Sequence, residues 1–208
     1  MQIRIDDNIY DVEIIKKNNR NTYIRVKNGK IIVTTNYLAS KSSIMKLIND
    51  NIDSIIKMIS TDNKKQDKHD NFYYFGKKYD VIYGFNEIEF SNDKIYAPNN
   101  SSLDKYILNE LKRIYSERLN YWYSVFEEHI PVPNLKIRKM TSRWGVCNIK
   151  SHNVTLNYEL SKYDITCLDY VIVHELSHFI HHNHSKEFWM LVGKYYPKYK
   201  ETRKMLKE

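Results

Sequence analysis

The chain has 208 residues, with 33 Lys+Arg against 25 Asp+Glu for a net charge of +8, 42% hydrophobic residues and a mean hydropathy of −0.63. This describes a soluble globular protein of one large or two small domains and excludes collagen, disorder and a disulfide-stapled miniprotein. No segment approaches the roughly 18 uncharged apolar residues of a membrane span. Charges interrupt any apolar run in MQIRIDDNIYDVE, so no secretory signal is expected and the reducing cytoplasm is the natural compartment for a chain with 2 Cys, Cys147 and Cys167. The Lys excess accompanies many Asn, Ile and Tyr (18 Tyr), which compositional bias alone produces. It is compatible with nucleic acid, anionic substrates or solubility alike.

The first thirty-five residues form short apolar runs, Gln2–Ile5, Tyr10–Ile15, Tyr23–Val26 and Ile31–Thr35, separated by polar Asn- and Asp-rich breaks. These are strand and turn signals, and Lys27-Asn28-Gly29-Lys30 predicts a hairpin because Asn and Gly tolerate positive φ. Ser40 is placed to cap one amphipathic helix through Ile44, Ile48, Ile52, Ile55 and Ile59. Ser60–Asn71 lacks any apolar residue and predicts an exposed linker, dividing the chain into 1–60, a linker over 61–71, and 72–208. Short strands are expected again at Phe72–Phe75, Tyr79–Tyr83, Glu87–Phe90 and Lys94–Ala97. A long helix from about Ser102 to His129 follows, ended by Pro131 and Pro133. Leu135–Lys139 and Val154–Tyr158 read as strands, Arg143–Asn148 as a turn or edge segment, and no internal repeat is visible. The expected fold class is α+β.

Within the apolar helix expected over Ile165–Ile180 lies His174-Glu175-Leu176-Ser177-His178, an H-E-x-x-H pattern, with Asp164 placed as its cap. Residues four apart share a helix face about 6 Å along the axis, so two imidazoles can converge on one Zn²⁺ at about 2.0–2.1 Å. Glu175 is turned about 100° away, close enough to meet a water on the metal rather than the metal itself. A catalytic zinc site needs a third protein ligand and an open position. The choices are His181, His182, His184, Glu187 and Glu201. His181 lies about 10 Å along the axis from His174, too far for comfortable ligation. His184 folds back if the helix ends near His181-His182-Asn183, Asn being tolerant of the left-handed conformation, and it is the preferred third ligand, with Glu201 second. Ser185 then caps a following helix in which Phe188, Trp189, Leu191, Val192 and Tyr195 read as core.

The sequence resembles the YgjP-like metallopeptidases, a zincin family related to the SprT-like and WLM proteases. The matching residues are Ser142-Arg143-Trp144-Gly145-Val146-Cys147, Val154-Thr-Leu-Asn157, Asp169 through His178, and Asn183-His184-Ser185 with Phe188-Trp189. The match is strong over about Leu103–Pro197 and looser before it; Val146 stands where the family usually has Ser. The resemblance implies a zincin-like domain behind an N-terminal β-rich region, with His174, His178 and His184 as zinc ligands and Glu175 as general base. Arg143 and Trp144 are expected either to line the cleft and bind substrate or to form an Arg–Trp stack beside the metal helix.

The function expected is a zinc-dependent metallohydrolase, a metallopeptidase acting on a peptide or protein. The alternatives are a metal-dependent phosphohydrolase of nucleotide pyrophosphatase type, with Arg143 and the +8 charge supplying anion affinity, and a non-catalytic zinc-binding or nucleic-acid-associated protein. A Cys147 or Cys167 closing the metal site would favour the last of these.

Overall fold

The computed structural model describes residues 1–6 and 8–206, with only the backbone described at Lys65 and 68–70. The chain folds as two compact units, Met1–Asp70 and Asn71–Lys207, each with its own hydrophobic cluster, and its class is α+β.

In the first unit, β1 (Gln2–Ile5), β2 (Asn8–Lys16), β3 (Tyr23–Lys27) and β4 (Lys30–Thr35) form a sheet in the order β1-β2-β4-β3. The β1/β2 and β3/β4 pairs are antiparallel, and β2/β4 is parallel. The hairpin tip at Asn28 and Gly29 has both residues at positive φ (50° and 70°), as the sequence predicts. Alternate strand residues Ile3, Ile5, Val12, Ile31 and Val33 turn inward onto Ile44, Ile48, Ile55 and Ile59.

Two expectations need correction here. The single helix is two, α1 (Lys41–Asp50) capped by Ser40 and α2 (Ile52–Asp70), because Asn51 leaves helical geometry at φ −117°, ψ 20°. The stretch 61–71, expected as an exposed linker, is helical as far as Asp70, where α2 ends. The polar run contains neither Gly nor Pro, so extending a turn already anchored by Ile55 and Ile59 adds one backbone bond per residue without a new nucleation cost. Asp62 also ties α2 to the hairpin by accepting the Gly29 N–H at 2.8 Å.

The second unit opens with β5 (Phe72–Tyr74), β6 (Lys77–Tyr83), β7 (Glu89–Ser91) and β8 (Lys94–Ala97), ordered β5-β6-β8-β7. Its pairings are again antiparallel, parallel and antiparallel, so the topology of the first sheet recurs although no sequence repeat announces it. Asn99 caps α3 (Asn100–Val125), whose stripe Leu103, Ile107, Leu111, Tyr115 and Leu119 is buried. The helix stops short of the expected His129 because Phe126 turns extended and stacks on Tyr195 at 4.1 Å. Next come β9 (Asn134–Arg138), β10 (Gly145–Asn148) and β11 (Asn153–Asn157), in the order β10-β11-β9 with β10 at the edge. A 3-10 turn (Tyr158–Lys162) leads to α4 (Ile165–Ser177), α5 (Lys186–Tyr195) and α6 (Tyr199–Met205).

The central element is α4, buried at ten of its positions. A polar clamp ties it to α3: Arg118 donates from Nε and Nη2 to the two Asp169 carboxylate oxygens, both at 2.6 Å, and Trp122 Nε1 adds a bond at 3.0 Å. Among the described residues, no helix is long and apolar enough to cross a membrane.

Candidate metal centre

The apolar sequence of α4 buries the helix, and the Asp164 side chain caps it by accepting the Thr166 N–H at 2.9 Å. His174 and Glu175 stand in its last turn, and His178 is its C-cap. The helix ends earlier than the sequence suggests. Beyond Ser177 the chain tightens into i→i−3 bonds, with the His178, Phe179 and Ile180 N–H groups donating to Glu175, Leu176 and Ser177 carbonyls. That tightening, not a left-handed Asn183, turns the chain back: Asn183 is not among the residues with positive φ. Ser185 caps α5, as predicted.

The return brings His184 to the other two imidazoles. One ligand atom from each of His174, His178 and His184 lies within 4.8 Å of the others, and His174 Nε2 and His184 Nε2 are 3.0 Å apart. Two imidazoles at about 2.0–2.1 Å from one tetrahedral ion have nitrogens about 3.3 Å apart, so the donor set fits zinc. His178 Nδ1 donates to the His181 carbonyl at 3.1 Å, which leaves its Nε2 as the lone-pair nitrogen. His174 Nδ1 is buried without a partner, a costly arrangement for an imidazole that serves packing alone. Burial, reinforced by the neighbouring imidazoles and Arg203, pushes the His174 pKa down to about 3, and burial also lowers that of His178. Both rings are therefore neutral, the form that binds metal. Among the described residues neither Cys joins this group, nor do His181, His182, Glu187 or Glu201.

Aromatic rings wall the cluster. Phe188, fully buried, sits 4.6–4.9 Å from all three imidazole centroids, and Trp189 stacks on His184. Tyr199 stacks on the Trp189 ring, over which the Arg203 guanidinium also lies. Phe188 is core, as the sequence predicts, and Trp189 is half-buried and packed against the same core. Trp189 and Arg203 are contributions that helical periodicity does not announce.

The cluster opens into a cavity of about 580 Å³, another wall of which is the segment Ser142–Cys147 that enters edge strand β10. Asn157, 2% exposed, shapes that segment from the end of β11. Its Nδ2 donates to the Met140 and Arg143 carbonyls at 2.8 Å each, and its Oδ1 accepts from the Met140 and Glu159 N–H groups. Arg143 is exposed on the cavity wall. Trp144 is half-buried on the same wall; its indole donates to the Leu206 carbonyl at 3.1 Å and its ring meets Tyr163 edge-on, so its aromatic partner is Tyr163 rather than an Arg.

Glu175 faces this wall at 5% exposure. Burial pushes its pKa up to about 8, against the opposing pull of the Cys147 backbone and of Arg143. Burial and the Glu175 charge push the Cys147 thiol up to about 12, so it remains a thiol.

No curated protein matches the chain significantly. Among solved structures, the chain is similar to the metallopeptidase zymogen of Pyrococcus abyssi abylysin (23% identity, TM-score 0.40, 44% of this chain and 90% of that one). It is also similar to that of Methanocaldococcus jannaschii jannalysin (26% identity, TM-score 0.36, 46% and 92%). The family model for the YgjP-like, metallopeptidase domain matches residues 20–208, nearly the whole chain, and the protein therefore belongs to the YgjP-like metallopeptidase family.

Proposed function

We propose that the protein is a zinc-dependent peptidase in which His174, His178 and His184 hold the ion and Glu175 is the general base. The observation that carries this reading is the convergence of three imidazoles, two of them held neutral by burial, beside a buried carboxylate on one wall of an open cleft. Three ligands leave the open position that catalytic zinc keeps and structural zinc lacks. When bound, the ion supplies a Lewis acid that acidifies water and polarises a carbonyl, and its charge opposes the burial that keeps Glu175 protonated.

The remaining work falls to the chain itself. Glu175 takes a proton from the attacking water and returns it to the leaving amine, and its burial keeps bulk water from competing for that proton. The His178 Nδ1–H bond to the His181 carbonyl fixes the ring that would otherwise turn. Arg143, exposed on the facing wall, is placed to contact substrate, while Trp144 holds that wall against the Leu206 carbonyl.

Glu175→Gln tests this directly, because the amide keeps the shape but accepts no proton. It is expected to retain zinc and fold and to lose at least about 10²-fold in peptide turnover. Retained turnover at full zinc occupancy, measured on one preparation by elemental analysis, melting and peptide cleavage, removes Glu175 from the base role.

A further inference from the structure

Three of the chain's five glycines have a backbone reason in their own φ, and one of the other two has its reason in a neighbour. Gly29, Gly76 and Gly84 have positive φ, and a methyl added at Gly193 would make ordinary contact. Gly145 lies in edge strand β10, paired with Leu156 in a regular antiparallel ladder that any L residue can join. Yet a Cβ built there would lie 2.5 Å from Glu175 Oε1, 2.7 Å from its Cγ and 2.8 Å from its Cδ. Side chains do not approach so closely, and all three atoms belong to one residue. The space a side chain at position 145 would take is the space the Glu175 carboxyl occupies.

The neighbouring backbone explains why the carboxyl lies there. The Cys147 backbone, two residues along the same strand, favours the charged form of that carboxyl, and at Gly145 the main chain is bare where the Glu175 side chain rests against it. Asn157 holds the segment leading into that stretch through the Met140 and Arg143 backbone. We propose that Gly145 is a positioning residue for the general base: the missing side chain lets the Glu175 carboxyl lie on the main chain of β10 and face the cleft in a fixed orientation. An added methyl would swing the carboxyl into the cleft, the open side of an otherwise buried residue. Because the obstructed atoms are the free end of a side chain, the fold can yield without breaking, and misplacing a catalytic group by about 1 Å costs up to about 10²-fold in rate.

This inference rests on the reading of Glu175 as the base, and the two can fail separately. The test uses the full-length zinc-loaded chain with Gly145→Ala, Glu175→Gln and the double variant, measuring zinc per chain, melting temperature, kcat and KM on one peptide. Gly145→Ala is expected to keep zinc and melting temperature, to lower kcat at least about 10-fold with KM little changed, and to have no further effect in the Glu175→Gln background. Unchanged kcat, or an equal loss in both backgrounds, overturns the positioning role while leaving the base intact. Turnover retained by Glu175→Gln overturns both. If Gly145→Ala fails to fold, Glu175→Ala in the same chain, which removes the atoms the methyl meets, must restore melting; a double variant that stays unfolded contradicts the proposal.

Discussion

The chain builds the same four-stranded arrangement twice and attaches chemistry to it once. In both sheets two hairpins are joined through a central parallel pair, β2/β4 and β6/β8, and a helical segment follows. The first module packs its sheet on a helix pair interrupted at Asn51, and α2 leaves Ile56 and Met58 partly exposed. In the second, uninterrupted α3 buries one long stripe and packs on both β8 and α4. The site therefore depends on what α3 holds rather than on the sheet. A helix carrying three titratable side chains in its last turn and C-cap is kept in register by Arg118 and Trp122 on Asp169, about one and a half turns before His174.

A paired perturbation sharpens this contrast. Ile48→Ala empties a fully buried position of the first module and is expected to cost about 2–5 kcal/mol of that unit's stability. It should leave zinc content and turnover unchanged. Asp169→Ala leaves Arg118 without its buried partner. Such a loss costs about 3–5 kcal/mol when both groups are fully buried, and about 2–3 kcal/mol here because Arg118 is a third exposed. It should lower zinc occupancy and turnover as well as stability. Denaturant melts paired with elemental analysis distinguish the two, and zinc loss in the Ile48 variant would erase the contrast.

Much of the site was legible from local signals, because its parts lie close together in sequence. The H-E-x-x-H spacing puts its imidazoles on one helix face, Asp164 and Ser185 are caps readable within three residues, and α4 is apolar over most of its length. The facing wall was not legible. Asn157 reaches back 14 to 17 residues to shape it, Trp144 finds its acceptor 62 residues away, and the reason for Gly145 exists only once Glu175 lies beside it. The parallel pairs were hidden for the same reason, since turn residues signal only the antiparallel neighbour across a hairpin. The polar run 61–70 reads as a solvated linker because no apolar residue marks a buried face, and its attachment to the turn anchored by Ile55 and Ile59 makes it helix instead.

A smaller effect separates the modules by pH in the metal-free protein. Glu175 titrates near 8 folded and near 4.5 unfolded, so the unfolded chain loses its proton first and stability declines as pH rises from about 4.5 to 8. His174, lowered to about 3 from 6.5, acts on the other side: the unfolded chain gains its proton first, and stability declines as pH falls from about 6.5 to 3. Between pH 6.5 and 8 the Glu175 contribution is left unopposed. Glu175→Gln should flatten the decline there, a difference on the order of 1–2 kcal/mol at about 2–4 °C in Tm per kcal/mol. Melting of the chelated proteins across that range checks it, and parallel curves would mean that Glu175 is not buried as described.

Zinc counting in single-histidine variants tests the three-imidazole centre most directly. Elemental analysis of the purified full-length chain should find one zinc per molecule, largely lost in His184→Ala and retained in His181→Ala and His182→Ala. The last two residues border the same turn but stand outside the cluster. Equal zinc loss in all three variants, or full retention in His184→Ala, would contradict the centre proposed here.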